Sequence, residues 1–157
     1  MMRLPLSLLL AASAWGQRAA TVAVTAQPQI FYSAGGGALT HGHGGTFAYW
    51  SVSKYLGQNT YASVINEYTV SAGQVLTCPL AGVSHVAAQF GPVSVGLTGA
   101  GGGCSGDKGG AAGAATAQAF VNFHLWHEWN LPLTARKTFT SRGDEAIKIS
   151  LGIGWGK

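Results

Sequence analysis

The clearest alternation of hydrophobic and polar positions lies at the end of the chain. In AIKISLGIGWGK the apolar residues Ile147, Ile149, Leu151, Ile153 and Trp155 take every second place, with Lys148, Ser150, Gly152 and Gly154 between them. A period of two marks a strand with one apolar face. The other face is nearly bare of side chains, whereas a strand wetted on that side would carry medium-sized polar groups. Large aliphatics opposite small and polar residues suit a narrow closed barrel, apolar outside and tight inside. The aliphatic set is therefore expected to face outward.

Punctuation by Gly and Pro cuts the preceding chain into further strand-like segments. The predicted spans are 20–33, 46–56, 60–70, 75–89, 93–99, 112–125, 131–140 and 145–156. No helix is predicted, because Gly, Thr, Val and aromatic residues recur throughout. The connections alternate in length. Long Gly-rich ones, 34–45 and 98–111, follow the first and fifth segments, while GQN, FGP and HEWN follow the second, fourth and sixth. Outer-membrane barrels carry longer loops outside and short turns on the periplasmic side. This parity predicts an all-β fold, an eight-stranded antiparallel up-and-down barrel. The alternative is a soluble β-sandwich. Two segments fit less well: 75–89 alternates poorly and contains Pro79, which cannot donate to a ladder. In 131–140, Lys137 shares the outward parity of Leu133, Ala135 and Phe139, which calls for a bulge or a snorkelling side chain.

Aromatic positions add a second pattern. Tyr55, Phe90, Trp126, Trp129 and Trp155 fall at the expected periplasmic strand ends. Phe31, Tyr32, Phe47, Tyr49, Tyr68 and Phe139 fall near the expected external ends. Two such belts are the sequence trace of an interfacial girdle; Phe120 and Phe123 sit outside it.

Composition narrows the class. Charged residues make up only 9% of the chain while 47% is hydrophobic, against about 25% charged in an ordinary soluble domain. Nine Lys/Arg against five Asp/Glu give a formal charge of +4. The basic residues are scattered, so nucleic-acid binding has no support. Residues 1–16 combine a basic start at Arg3, an apolar stretch from Leu4 to Ala14 and the small residues Ala14 and Gly16. Those are the parts of a secretory signal peptide, with cleavage expected after Gly16. The apolar stretch is shorter than the roughly 20 residues of a spanning helix. Residues 17–157 form the predicted barrel domain.

In an exported chain the cysteine pair Cys78 and Cys104 predicts one disulfide, tying a long external loop to the barrel rim. Glu67 is the one acidic residue well inside a predicted strand, and an isolated buried carboxylate is costly, so it calls for a cation. Lys54, Arg136 and Lys148 are the candidates. Adjacency of the second and third segments selects a lumen charge pair of Glu67 with Lys54.

Other local features carry less chemistry. His41 and His43 could share a metal, but a site needs a third or fourth ligand, and a polar loop explains them. HLWHEWN, with His124, His127 and Glu128, lacks the His-Glu-x-x-His order and the helix of a zincin. Arg142-Gly143-Asp144 is explained by a tight hairpin. The Gly-rich run at 99–113 lacks the Gly-Lys-Ser/Thr ending of a phosphate loop. No serine–histidine spacing of a deacylase is present, so a catalytic role has no support and no cofactor is implied.

In architecture the mature chain resembles the small eight-stranded outer-membrane barrels of the OmpA/OmpX type. The end of the chain is similar to the terminal insertion signal of that class, with Ser150, Gly152 and Trp155 in its polar, glycine and aromatic places. Lys157 departs from it where the class most often has Phe. The resemblance implies an outer-membrane location, with membrane lipid and the barrel-insertion machinery as partners. It also implies a structural or surface-interaction role, with any surface ligand held by loops 34–45 and 98–111. Two other readings stand beside it: a secreted β-sandwich binding carbohydrate or surfaces, and a lipid-modifying barrel enzyme.

Overall fold

The computed structural model describes residues 28–40, 44–107, 110–126, 128–141 and 143–156, with backbone alone for 143–146. The predicted signal peptide, His41, His43, His127, Arg142 and Lys157 lie outside the described residues. The strands are β1 (Ile30–Leu39), β2 (Thr46–Gly57), β3 (Thr60–Ser71), β4 (Gln74–Phe90), β5 (Val93–Gly106), β6 (Ala111–His124), β7 (Trp129–Thr140) and β8 (Gly143–Gly156). Each pairs antiparallel with its neighbour in sequence, and β1 pairs with β8 to close the barrel. Closure removes both free edges that a sandwich would keep, so the β-sandwich alternative is excluded.

The barrel has two unlike ends. The proximal end carries the start of β1, the end of β8 and the connections 58–59, 91–92 and 125–128; the distal end carries 40–45, 72–73, 107–110 and 141–142. Gln58 and Asn59 both take positive φ (48° and 60°), the two-residue hairpin geometry that follows strand twist.

The Gly-rich stretches are strand, which corrects the expected loops. β1 runs 30–39 rather than 20–33, and β5 continues to Gly106, so the long loops shrink to 40–45 and 107–110. The reason is packing. A Cβ on Gly35 would stand 2.8 Å from the Tyr49 ring, and one on Gly96 would collide with Phe120. Glycine on one strand thus seats an aromatic ring of its neighbour, the small–large matching that a narrow barrel requires.

Alternation holds around the barrel. Val64, Val83, Leu97, Leu133 and Leu151 are exposed on the outer face, while Glu67, Thr138, Lys148 and Ser150 are buried inside. In β8 the outward set is Ile147, Ile149, Leu151 and Ile153, with Lys148, Ser150 and Gly154 buried. Pro79 faces outward at a break in the β4–β5 ladder, which skips from Thr77 to Leu80. A register shift lies between Lys137 and Phe139, and the Lys137 ammonium lies 5.0 Å from the Phe139 ring centre.

The aromatic pattern differs from the expected pair of belts. Phe31 and Tyr32 open β1 and so sit at the proximal end, where Tyr32 stacks on Trp155 at 5.6 Å. Phe47 and Tyr49 are buried in the lumen, and Tyr55 packs on lumen-lining Tyr61. The exposed proximal aromatics include Phe90, Phe123, Trp126 and Trp129, against Tyr68, Phe139 and the more deeply placed Trp50 in the distal half. The girdle is one-sided because the first strand starts later than its apolar content suggested.

Candidate functional site

The lumen is divided into a filled distal half and an open proximal half. Filling starts from Glu67 on β3, whose side chain has no exposed surface. Arg136 on β7 donates from Nη1 to Glu67 Oε2 at 2.6 Å, and Lys148 on β8 donates to Oε1. Gln118 on β6 accepts from Arg136 Nε at 2.7 Å and also from Nη2. The Arg136 guanidinium lies 4.8 Å from the centre of the Tyr49 ring, and Lys148 Nζ lies 6.0 Å from that of Phe47. Charges removed from water this fully are tolerated when each is paired and hydrogen-bonded, and this cluster meets that condition from four strands.

Lys54 is not part of it. It shares the outward parity of Trp50, is exposed, and pairs across to Ala62 rather than toward Glu67. Proximity along the chain selected Lys54, but parity decides: Phe47, Tyr49 and Ser53 occupy the inward face of β2. The partners of Glu67 come from β7 and β8 across the lumen, 69 and 81 residues away in sequence.

Cys78 and Cys104 form a disulfide between directly facing strands, with Cα atoms 4.1 Å apart. It lies inside the lumen, in strand rather than loop, packed with Ile65 and Leu80. With the ion cluster it fills the distal half.

Below this floor the proximal half is a cavity of about 780 Å³ that opens at the proximal end. One wall is a ladder of hydroxyls across four strands: Ser53–Ser63 at 2.9 Å, Ser63–Ser84 at 2.8 Å and Ser84–Thr98 at 2.9 Å. Ser33 and Ser51 pair beside it at 2.7 Å. The facing wall carries Phe120, Asn122 and Asn130, with Phe31 and Tyr61 completing the aromatic lining. At the mouth, His124 Nε2 lies 3.2 Å from Ser94 Oγ. This serine–histidine contact was hidden in the sequence, where 30 residues separate the two. Serines alternating at 51, 53 and 63 were the available signal for the ladder.

The remaining expected features are dispersed. His85 points outward and meets Thr60 at 3.0 Å. Of the Arg-Gly-Asp stretch, Gly143 and Asp144 belong to the backbone of β8, where Asp144 pairs with Phe139 and Gly143 with Thr140. Ser150 bonds Thr134 at 2.6 Å inside the barrel, Gly152 also turns inward, and Trp155 stacks on Tyr32. Among the described residues no cluster of three or more His, Cys, Asp or Glu side chains is placed to hold a metal ion.

Against solved structures this geometry has clear counterparts. The crystal structure of Neisserial surface protein A matches with a TM-score of 0.64 and 13% identity, over 82% of this chain and 96% of that one. The fold is that of a small eight-stranded outer-membrane barrel. The N-terminal β-barrel domain of Pseudomonas aeruginosa OprF matches with a TM-score of 0.54 and 13% identity, over 83% of this chain and 99% of that one. A de novo designed transmembrane beta-barrel matches with a TM-score of 0.56 and 12% identity, over 83% of this chain and 98% of that one. No family model matches the sequence, and no curated protein does.

Proposed function

We propose that this protein is exported and inserted in the outer membrane, where it serves as a structural or surface-interacting barrel without catalytic activity. One observation carries the location: the outer face is apolar and the buried face polar. Leu97, Leu151 and Ile153 are 63%, 60% and 51% exposed in their strands, while Arg136, Glu67 and Lys148 are at most 1% exposed. In water that arrangement would be inverted; in a bilayer it is the one a barrel requires. The expected partners are membrane lipid and the insertion machinery, with surface contacts made through the short distal connections 40–45 and 107–110.

The non-catalytic reading rests on the ion cluster and on Ser94. Both Glu67 oxygens are engaged by cations, which suits neither an acid nor a base. Ser94 has His124 beside it, but among the described residues no carboxylate bonds the other ring nitrogen, so the orienting third group of a serine nucleophile is missing. Cell fractionation tests the location. The protein should sediment with outer membranes, need detergent for release, and run faster unheated than boiled on a gel. Recovery in the soluble periplasmic or secreted fraction would overturn the proposal.

A further inference from the structure

The proximal cavity has features that a water-filled void does not require. Its volume, about 780 Å³, lies within the roughly 300–1,000 Å³ of small-ligand pockets. The hydroxyl ladder has a definite polarity of function. Ser53, Ser63, Ser84 and Thr98 are joined by three consecutive hydrogen bonds, so three of their four O–H donors are spent on one another. Each hydroxyl oxygen has two lone pairs, which leaves the ladder presenting acceptors to the cavity. On the facing wall Asn130, 4% exposed, lines the same cavity, with its Oδ1 tucked against Gly154.

The charges decide which donor-rich molecule fits. Arg136 and Lys148 share the one carboxylate of Glu67, so the cavity floor keeps a net positive charge that opposes a polyamine. Glu128 stands at the mouth, at the other end of the cavity. An anion would find the Arg136 guanidinium already committed to Glu67 and Gln118, and a hydroxyl ladder that offers more acceptors than donors. A neutral polyol meets neither obstacle. Its C–H faces also suit the rings of Phe31, Tyr61 and Phe120, which line the same space. The geometry points to a binding site for a neutral saccharide in the proximal half of the lumen, entered from the end that carries the short turns. The hydroxyl ladder accepts its hydroxyl protons, and the aromatic rings stack on its apolar faces.

Calorimetric titration of maltose into the full mature protein tests this. The protein is held in dimethylamine-oxide micelles, since a glycosidic detergent would compete. Saturable binding at one site is expected. Ser84→Ala, which cuts the ladder while shrinking the side chain, should weaken it about tenfold, the value of one well-made hydrogen bond. Ser51→Leu, which fills the cavity, should abolish it. Glucuronate and spermidine should bind at least tenfold more weakly than maltose. The inference is overturned if maltose gives no saturable heat with protein that still shows the folded gel shift. It is equally overturned if both variants bind like the parent, or if either charged probe matches maltose. Membrane partition is scored on the same preparation, so a barrel that inserts and takes no maltose sinks this inference alone.

Discussion

Glu67 is held from the far side of the lumen, by Arg136 at 2.6 Å and by Lys148. Removing its charge would strand two cations in a space with no bulk water. Glu67→Gln is therefore expected to destabilise the folded barrel by about 3–5 kcal/mol, the cost of breaking a buried pair. Lys54→Gln, on the exposed outer face, should change stability by less than about 0.5 kcal/mol. Urea unfolding in lipid vesicles, followed by the heat-dependent gel shift, compares the two; equal effects would contradict the assigned partners. The need for a cation was legible from burial chemistry alone. Its identity was not, because strand parity places Lys54 outside and only ring closure brings β7 and β8 opposite β3.

At the scale of strands, β4 and β5 are joined by sulfur where hydrogen bonding lapses. Pro79 has no N–H to offer, the ladder skips Cys78 and Pro79, and the Cys78–Cys104 bond spans the gap. Replacing both cysteines by alanine should lower stability by about 3 kcal/mol on the chain-entropy account, read as an earlier loss of the folded gel band on heating. In β8, Leu151→Arg puts a cation on the outward apolar face and should cost about 2–4 kcal/mol near mid-membrane. Gly152→Arg should fail through steric overfilling instead, since a Cβ there already approaches the Tyr49 hydroxyl to 2.9 Å. Refolding yields into bilayers of increasing thickness separate the two, because only the Leu151 variant should respond to the depth of its new charge. β8 was readable because its large residues all lie on one face. β1 and the second half of β5 were not, because glycine erases the alternation that marks a strand. At Gly35 what glycine signals is a ring on the adjacent strand, and at Gly102 a neighbouring backbone too close for a Cβ; both neighbours are known only once the register is known.

For the whole molecule, the division of the lumen governs transport. Ion cluster, disulfide and aromatic rings fill the distal half, while the proximal cavity ends at Arg136 and Tyr49. Planar-bilayer recordings should show no steady open pore at moderate voltage, and a stable porin-like conductance would contradict the filled distal half. Eight strands leave little room in any case. The one-sided girdle has a different consequence. Among the described residues Trp126, Trp129, Phe90 and Phe123 crowd one rim, while Tyr68, Phe139 and the more deeply placed Trp50 serve the other. Such a barrel is moored by a single leaflet. When the bilayer thickens or thins, the moored rim holds its depth and the opposite rim takes up the whole mismatch, rising or sinking against its leaflet. Depth-dependent quenching should thus leave the proximal tryptophans unmoved across lipids of different chain length, and the distal rim would vary in height with the membrane that carries it.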